Sequence, residues 1–207
     1  MPLKASGRGK SRIDLDPDLR RRLVLVMATD TVAAVARADQ VDRVLLVLED
    51  AADGAAVRSA LATTGVVPRA TVETHVTSAR SLNEAIRDGI DHLGPSAGPV
   101  AVLPCDVPSA TASEVDSALA VAWRHGRAVV ADADGTGTTL LAAVDADDLR
   151  PRYGPNSWRR HVDDGAVPVD LPVDSGLRRD VDLRADLAAV TGPRTARTWR
   201  ASTDGAA

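Results

Sequence analysis

Asp106, Asp180 and Asp182 stand where strands should end, and Lys4, Arg8, Lys10 and Arg12 crowd a short segment that also holds Gly7 and Gly9. Carboxylates at strand tips are hard oxygen ligands, and Mg²⁺ is bound by one or two of them together with phosphate oxygens of a substrate. A glycine-rich backbone approaches phosphates closely, and cations among the glycines supply the charge that a triphosphate requires. The two groups together describe nucleotidyl transfer. Each also has a plainer reading. Asp106 suits the cap of the following helix, and the segment from Met1 to Ile13 suits a solvated basic tail, because the GxxxxGK[ST] spacing of a Walker A motif is absent.

The elements that must position these residues follow from periodicity. Pro99 to Ala110, PVAVLPCDVPSA, is a short apolar run that stops at Asp106, as expected of a strand covered on both faces whose tip reaches a ligand crevice. Asp16-Pro17 opens a helix that runs to about Ala36. RVLLVLE from Arg43 is the next buried strand, Ala51 to Thr63 a helix and Thr71 to His75 a short strand. Ser81 caps a helix that extends to about Leu93 and carries Asn83, a residue that either dresses the helix start or offers a polar handle to a base. Ala112 to His125 is helical, and Arg127 to Asp132 is a strand that runs into DGTGTT. The amides of that loop face an anion or simply close a hairpin. Leu140 to Val144 returns as a strand. Tyr153-Gly154-Pro155-Asn156-Ser157 leads into a helix from Trp158 to Asp164, whose first amides are a second phosphate seat. Leu177 to Val181 reads as a last strand that sets Asp180 and Asp182 on one side, and Thr191 to Ala207 reads as a frayed tail.

At 207 residues the chain suits one α/β domain over 1–192 with a flexible tail over 193–207. Aromatic residues make up only 2% and Phe is absent, so the core must be built from Ala, Val, Leu and Ile. A net charge of -4 argues against generic nucleic-acid binding. No apolar run reaches the length of a membrane span and no signal-peptide core opens the chain, so a cytoplasmic protein is expected, either monomer or homodimer. The single cysteine, Cys105, reads as a small packed residue.

Six segments in order resemble the 2-phospho-L-lactate or phosphoenolpyruvate guanylyltransferases of deazaflavin coenzyme F-420 biosynthesis: PLKASGRGKSRI, LNEAI, CDVP, ADADGTGTTLLAA, RYGPNSWRRH and DVDLRADL. The resemblance implies a Rossmann-like nucleotidyltransferase fold with a mixed, mostly parallel central sheet. It implies GTP and a phosphorylated three-carbon acid as substrates, and Mg²⁺ on Asp106, Asp180 and Asp182. Lys4, Gly9, Lys10, Arg12 and Asn83 would bind the nucleotide, with Lys10 and Asp106 catalytic. Thr138, Gly154 and Ser157 would seat the acid, largely through backbone amides. In this family a first strand precedes the basic loop, and here only PLK follows Met1 before that loop. The first strand is therefore expected to be truncated, by a start codon assigned too far downstream or by loss of the strand, with a cost in stability.

Overall fold

The computed structural model describes residues 1–7, 10, 13–63, 65, 67–94 and 97–204. Local sequence fixes the helices at their starts. In α1 (Pro17–Val35) the Asp16 carboxylate accepts the amides of Asp18 and Leu19, with proline in the first turn. In α4 (Ala112–His125) Thr111 accepts the Glu114 amide while Glu114 accepts the Thr111 amide, a reciprocal cap, and Gly126 at φ 86° ends the helix. The remaining helices are α2 (Ala51–Ala62), α3 (Leu82–Leu93), α5 (Ser157–Asp163) and α6 (Pro193–Asp204).

Strands β1 (Pro2–Leu3), β2 (Arg43–Leu48) and β3 (Thr71–Val76) form an all-parallel sheet in the order β1-β2-β3. Strands β4 (Val100–Val102), β5 (Arg127–Ala131), β6 (Thr138–Ala143) and β7 (Val167–Pro168) form a second sheet in the order β4-β6-β5-β7. There β6 runs antiparallel to both neighbours and β5 pairs parallel with β7. The α/β architecture is as expected, and the mixed sheet is interrupted between β1, only two residues long, and β4. One face is covered by a large apolar cluster that includes Met27, Val32, Val57, Val115 and Leu119. The other carries a smaller cluster around Ile86, Leu141, Leu149 and Tyr153.

Two expectations are corrected. From Thr191 to Asp204 the chain is not a frayed tail, because α6 docks on α1: the buried Asp30 carboxylate accepts the amides of Arg194 and Thr195 and the Thr195 hydroxyl; residues 205–207 of the expected tail lie outside the described residues. Leu177 to Val181 is not a strand either. A 3₁₀ turn spans Gly176–Arg178 and the residues after it are irregular, since among the described residues no strand pairs with them.

Candidate active site

Three ties bring Asp180 and Asp182 to Asp106 across a long sequence separation. The Glu114 carboxylate that caps α4 also accepts the Ser175 hydroxyl at 2.6 Å and the Gly176 amide at 2.8 Å. Gly176 lies so close to Ser109 that a Cβ there would meet the Ser109 carbonyl oxygen at 1.9 Å. The Val181 amide donates to the Asp106 carbonyl at 3.0 Å. This one backbone bond keeps the alternation that a strand would have given: Val181 is buried while Asp180 and Asp182 face the other way. Asp186 then holds the Asp182 and Leu183 amides. One carboxylate oxygen from each of Asp106, Asp180 and Asp182 lies within 4.8 Å of the others. Asp106 is not the helix cap, a duty taken by Thr111.

Lys10 reaches into this cluster, with Nζ 2.5 Å from Asp106 and 2.6 Å from Asp182. Its backbone is left-handed at φ 52°, an uncommon state for a residue with a long side chain and one that recurs at functional sites. Burial works against the Lys10 charge, yet the charges and hydrogen bonds of Asp106 and Asp182 raise its pKa above the ordinary lysine value. Burial, with the charges of Asp106 and Asp182 added to it and Lys10 opposing, pushes the Asp180 carboxyl up to about 7. Three carboxylates make an all-oxygen donor set of the kind a divalent cation takes, and the Lys10 ammonium already stands among them as a positive charge. The residues present fit such a cation.

A cavity of about 430 Å³ opens from the cluster along α3 and the end of β2, lined by Lys4, Lys10, Glu49, Arg80, Asp106 and Asp182 among others. Its loop is held from below: Glu49 accepts the Ala5 amide at 3.1 Å, and Asp53 accepts the Ser6 amide and hydroxyl, each at 2.7 Å. Gly9 and Arg12, expected to bind nucleotide, lie outside the described residues, as does Arg8. Asn83 lies beside the cavity, with its carboxamide engaged elsewhere than on a base. It donates to the Tyr153 carbonyl at 3.0 Å and accepts the Tyr153 amide at 2.8 Å.

Thr138 and Ser157, which do not line this cavity, meet one another, with Ser157 Oγ donating to Thr138 Oγ1 at 3.1 Å, and Gly154 sits in the turn just before α5. Behind them is His161, fully buried. Its Nε2 accepts the Arg152 amide at 2.9 Å, so Nδ1 carries the proton that meets Thr138 Oγ1 at 3.0 Å. Burial and the nearby Arg127 hold His161 neutral, with its pKa down at about 4. Two anion seats read from sequence turn out differently. The amides of Thr136 and Gly137 are taken by the chain's own Asp132 carboxylate, and the loop is a hairpin turn between β5 and β6. At the start of α5 the Ser157 amide is spent on the Gly154 carbonyl and the Trp158 amide on the Thr136 carbonyl.

Sequence reasoning missed Glu114, Asp53, Tyr153 and His161. Glu114 alone had a local signal, three residues after Thr111; the others act through partners distant in sequence.

A family model described as Guanylyl transferase CofC like matches residues 1–171. The phosphoenolpyruvate guanylyltransferase of Sanguibacter keddieii is 38% identical over 237 residues, spanning 94% of this chain and 81% of that protein. That of Streptomyces scabiei is 39% identical over 206 residues, spanning 95% and 92%. Among solved structures, 4-diphosphocytidyl-2C-methyl-D-erythritol synthase of Anaerococcus prevotii superposes with a TM-score of 0.56 at 13% identity, over 98% of this chain and 96% of that one, a likeness of fold.

Proposed function

The chain belongs to the CofC-like guanylyltransferase family, and on that premise we propose that it transfers GMP from GTP to the phosphate of phosphoenolpyruvate, releasing pyrophosphate. The reading places the enzyme in the cytoplasm, in deazaflavin coenzyme F-420 biosynthesis, with Mg²⁺ as its cation. Phosphoenolpyruvate is preferred to 2-phospho-L-lactate because the relatives at 37–41% identity carry that acceptor in their names. The observation that carries the reading is the meeting of Asp106, Asp180 and Asp182 with Lys10 at the mouth of a cavity large enough for a nucleotide.

Asp106, Asp180 and Asp182 would hold the cation, which when bound neutralises charge that builds up on the transferring phosphoryl group. Lys4, Gly9, Lys10 and Arg12 meet the triphosphate, and Lys10 exchanges its carboxylate partners for phosphate oxygens as the nucleotide enters. Asn83 serves the guanosine side by fixing the wall of the cavity against Tyr153. Thr138, Gly154 and Ser157 would line the seat of the acid not through the amides of α5, which are spent, but through the Thr138 hydroxyl, which accepts from Ser157 and His161 and keeps its own proton to donate. The acceptor phosphate is already ionised at neutral pH, so positioning rather than proton abstraction is the task. Two groups that could otherwise act as base or nucleophile are out of play: both His161 nitrogens are engaged, and burial pushes the Cys105 thiol up to about 12.

The test is a panel of GTP, ATP and CTP against phosphoenolpyruvate, 2-phospho-L-lactate and molybdopterin with Mg²⁺, followed by product mass and pyrophosphate release. GTP with phosphoenolpyruvate should give the diphosphate-linked product fastest. GTP binding without product from any acceptor would overturn the reading.

A further inference from the structure

Asp88 and His92 stand one turn apart on α3 and therefore share a face of the helix. The helix presses closely on the sheet at Gly89, where a Cβ would meet Val47 Cγ2 at 2.6 Å. Val47 is the register partner of His75 on β3, so the same close approach brings Asp88 and His92 onto His75. Asp88 Oδ2 lies 3.1 Å from His75 Nε2. The His75 and His92 rings stack, with centroids 4.2 Å apart and planes inclined by 25°.

Two imidazoles and a carboxylate are a donor set unlike the three carboxylates of the candidate active site. Imidazole nitrogen suits Zn²⁺, Ni²⁺ and Cu²⁺, whereas all-oxygen sets suit Mg²⁺ and Ca²⁺. Two ligands of a tetrahedral cation with bonds of about 2.0–2.1 Å stand about 3.3 Å apart, close to the separation of Asp88 Oδ2 and His75 Nε2. Hydrogen bonds from Thr77 and His75 hold the Asp88 carboxyl below the usual carboxylate range, so it is an anion at neutral pH. His92 is exposed, and its ring has room to turn out of the stack. The other two histidines of the chain lie elsewhere: both nitrogens of His161 are engaged, and His125 ends α4.

We propose that His75, Asp88 and His92 form a second cation site, for a transition metal of the Zn²⁺ class, with water in the remaining position. His75 and Asp88 supply a preset pair of ligands, and a turn of the His92 ring supplies the third. Glu73 shares the strand face of His75 but is committed to Arg43 through two hydrogen bonds and stays outside the site. The consequence reaches the cavity beside Asp106. Asp88 also accepts the Thr77 hydroxyl, whose oxygen accepts the Ala79 amide at 3.1 Å, and Thr77 and Ala79 both line that cavity. A cation on the three side chains clips α3 to β3 and steadies this wall. The site shares no residue with the machinery of guanylyl transfer and stands or falls apart from it.

The experiment strips the full chain of metal with a chelator and titrates it with Zn²⁺ by calorimetry, in excess Mg²⁺ so that the acidic cluster is competed for. Co²⁺ then serves as a paramagnetic probe of the histidine rings by NMR. His75→Ala, His92→Ala and Asp88→Asn should each weaken Zn²⁺ binding about tenfold or more, and His125→Ala by less than about twofold. Co²⁺ should broaden the ring signals of His75 and His92 together and spare that of His125. Zn²⁺ should also raise the melting temperature of the parent but not of His92→Ala, a change at an exposed position that leaves the fold intact. Unchanged Zn²⁺ affinity in His92→Ala overturns the proposal. So does binding that Asp182→Asn abolishes while the two histidines are in place, because the ion then sits in the acidic cluster.

Discussion

Replacing Gly176 by Ala should disable the site through the backbone while leaving every acidic side chain in place. The new Cβ would lie 1.9 Å from the Ser109 carbonyl oxygen and 2.5 Å from its carbon, whereas ordinary contact begins near 3.4 Å, so the two segments must part by about 1.5 Å. The neighbour is backbone and cannot swing aside. Overpacking of this kind costs about 1–3 kcal/mol, and pulling the Gly176 amide from Glu114 adds about 1 kcal/mol, for a loss of about 2–4 kcal/mol in urea unfolding. The same shift moves Asp180 and Asp182 away from Asp106, because Gly176 and the Val181 amide are two of the ties that hold them. A displacement near 1 Å costs on the order of a hundredfold in rate. Urea midpoints and initial rates of pyrophosphate release decide the matter. Gly7→Ala is the stability reference, since a Cβ there meets nothing within 4 Å. Should Gly176→Ala stay within about 0.5 kcal/mol of the parent and keep its rate, the account of how the carboxylates are brought together is wrong.

Asp106→Asn and Asp182→Asn should each lower turnover about a thousandfold. The double variant should cost little more than either single one, because the residues act as a unit; additive losses would argue for separate duties. Lys10→Ala should weaken GTP binding by calorimetry with the fold intact, and unchanged affinity would return the loop to solvent. His161 has a folded-state pKa near 4, below the ordinary 6.5. The unfolded chain therefore takes up the proton first, and stability present above about pH 6.5 is lost as pH falls toward 4. His161→Gln should flatten this part of the urea-midpoint profile, and an unaltered slope would show that the group is not buried as described. Asp30→Ala should cost about 2 kcal/mol or more by stranding the donors of Arg194 and Thr195, detected as early proteolysis within 193–204.

Elements with local start signals were legible in the chain itself: Asp16-Pro17 and Ser81 open the helices they suggest, and the apolar run from Val44 is a buried strand. The three acids were legible as strand-end carboxylates, and the structure brings them together. What escaped depends on partners far away in sequence. α6 is polar and Arg-rich, and its cap is Asp30, on the first helix. Leu177 to Val181 alternates like a strand but pairs through a single bond with the Asp106 carbonyl, so it keeps the facing of a strand without its ladder. The DGTGTT loop was open to an outside anion on composition alone, and only the fold reveals that Asp132 already satisfies two of its amides.

The paired hydrogen bonds between Asn83 and the backbone of Tyr153 make a gauge block. Asn83 belongs to the helix start that walls the cavity beside Asp106, Tyr153 adjoins Gly154, and the Tyr153 hydroxyl donates to the Val102 carbonyl on the strand that leads to Asp106. The start of α3, the turn before α5 and β4 are thus linked in series, and on the proposed reading the spacing between nucleotide and acid depends on the length of a single carboxamide side chain. Catalysis by positioning then inherits its tolerance from that length. Asn83→Gln keeps both hydrogen-bonding ends but inserts one methylene, so it should alter the gauge and act on turnover more than on stability.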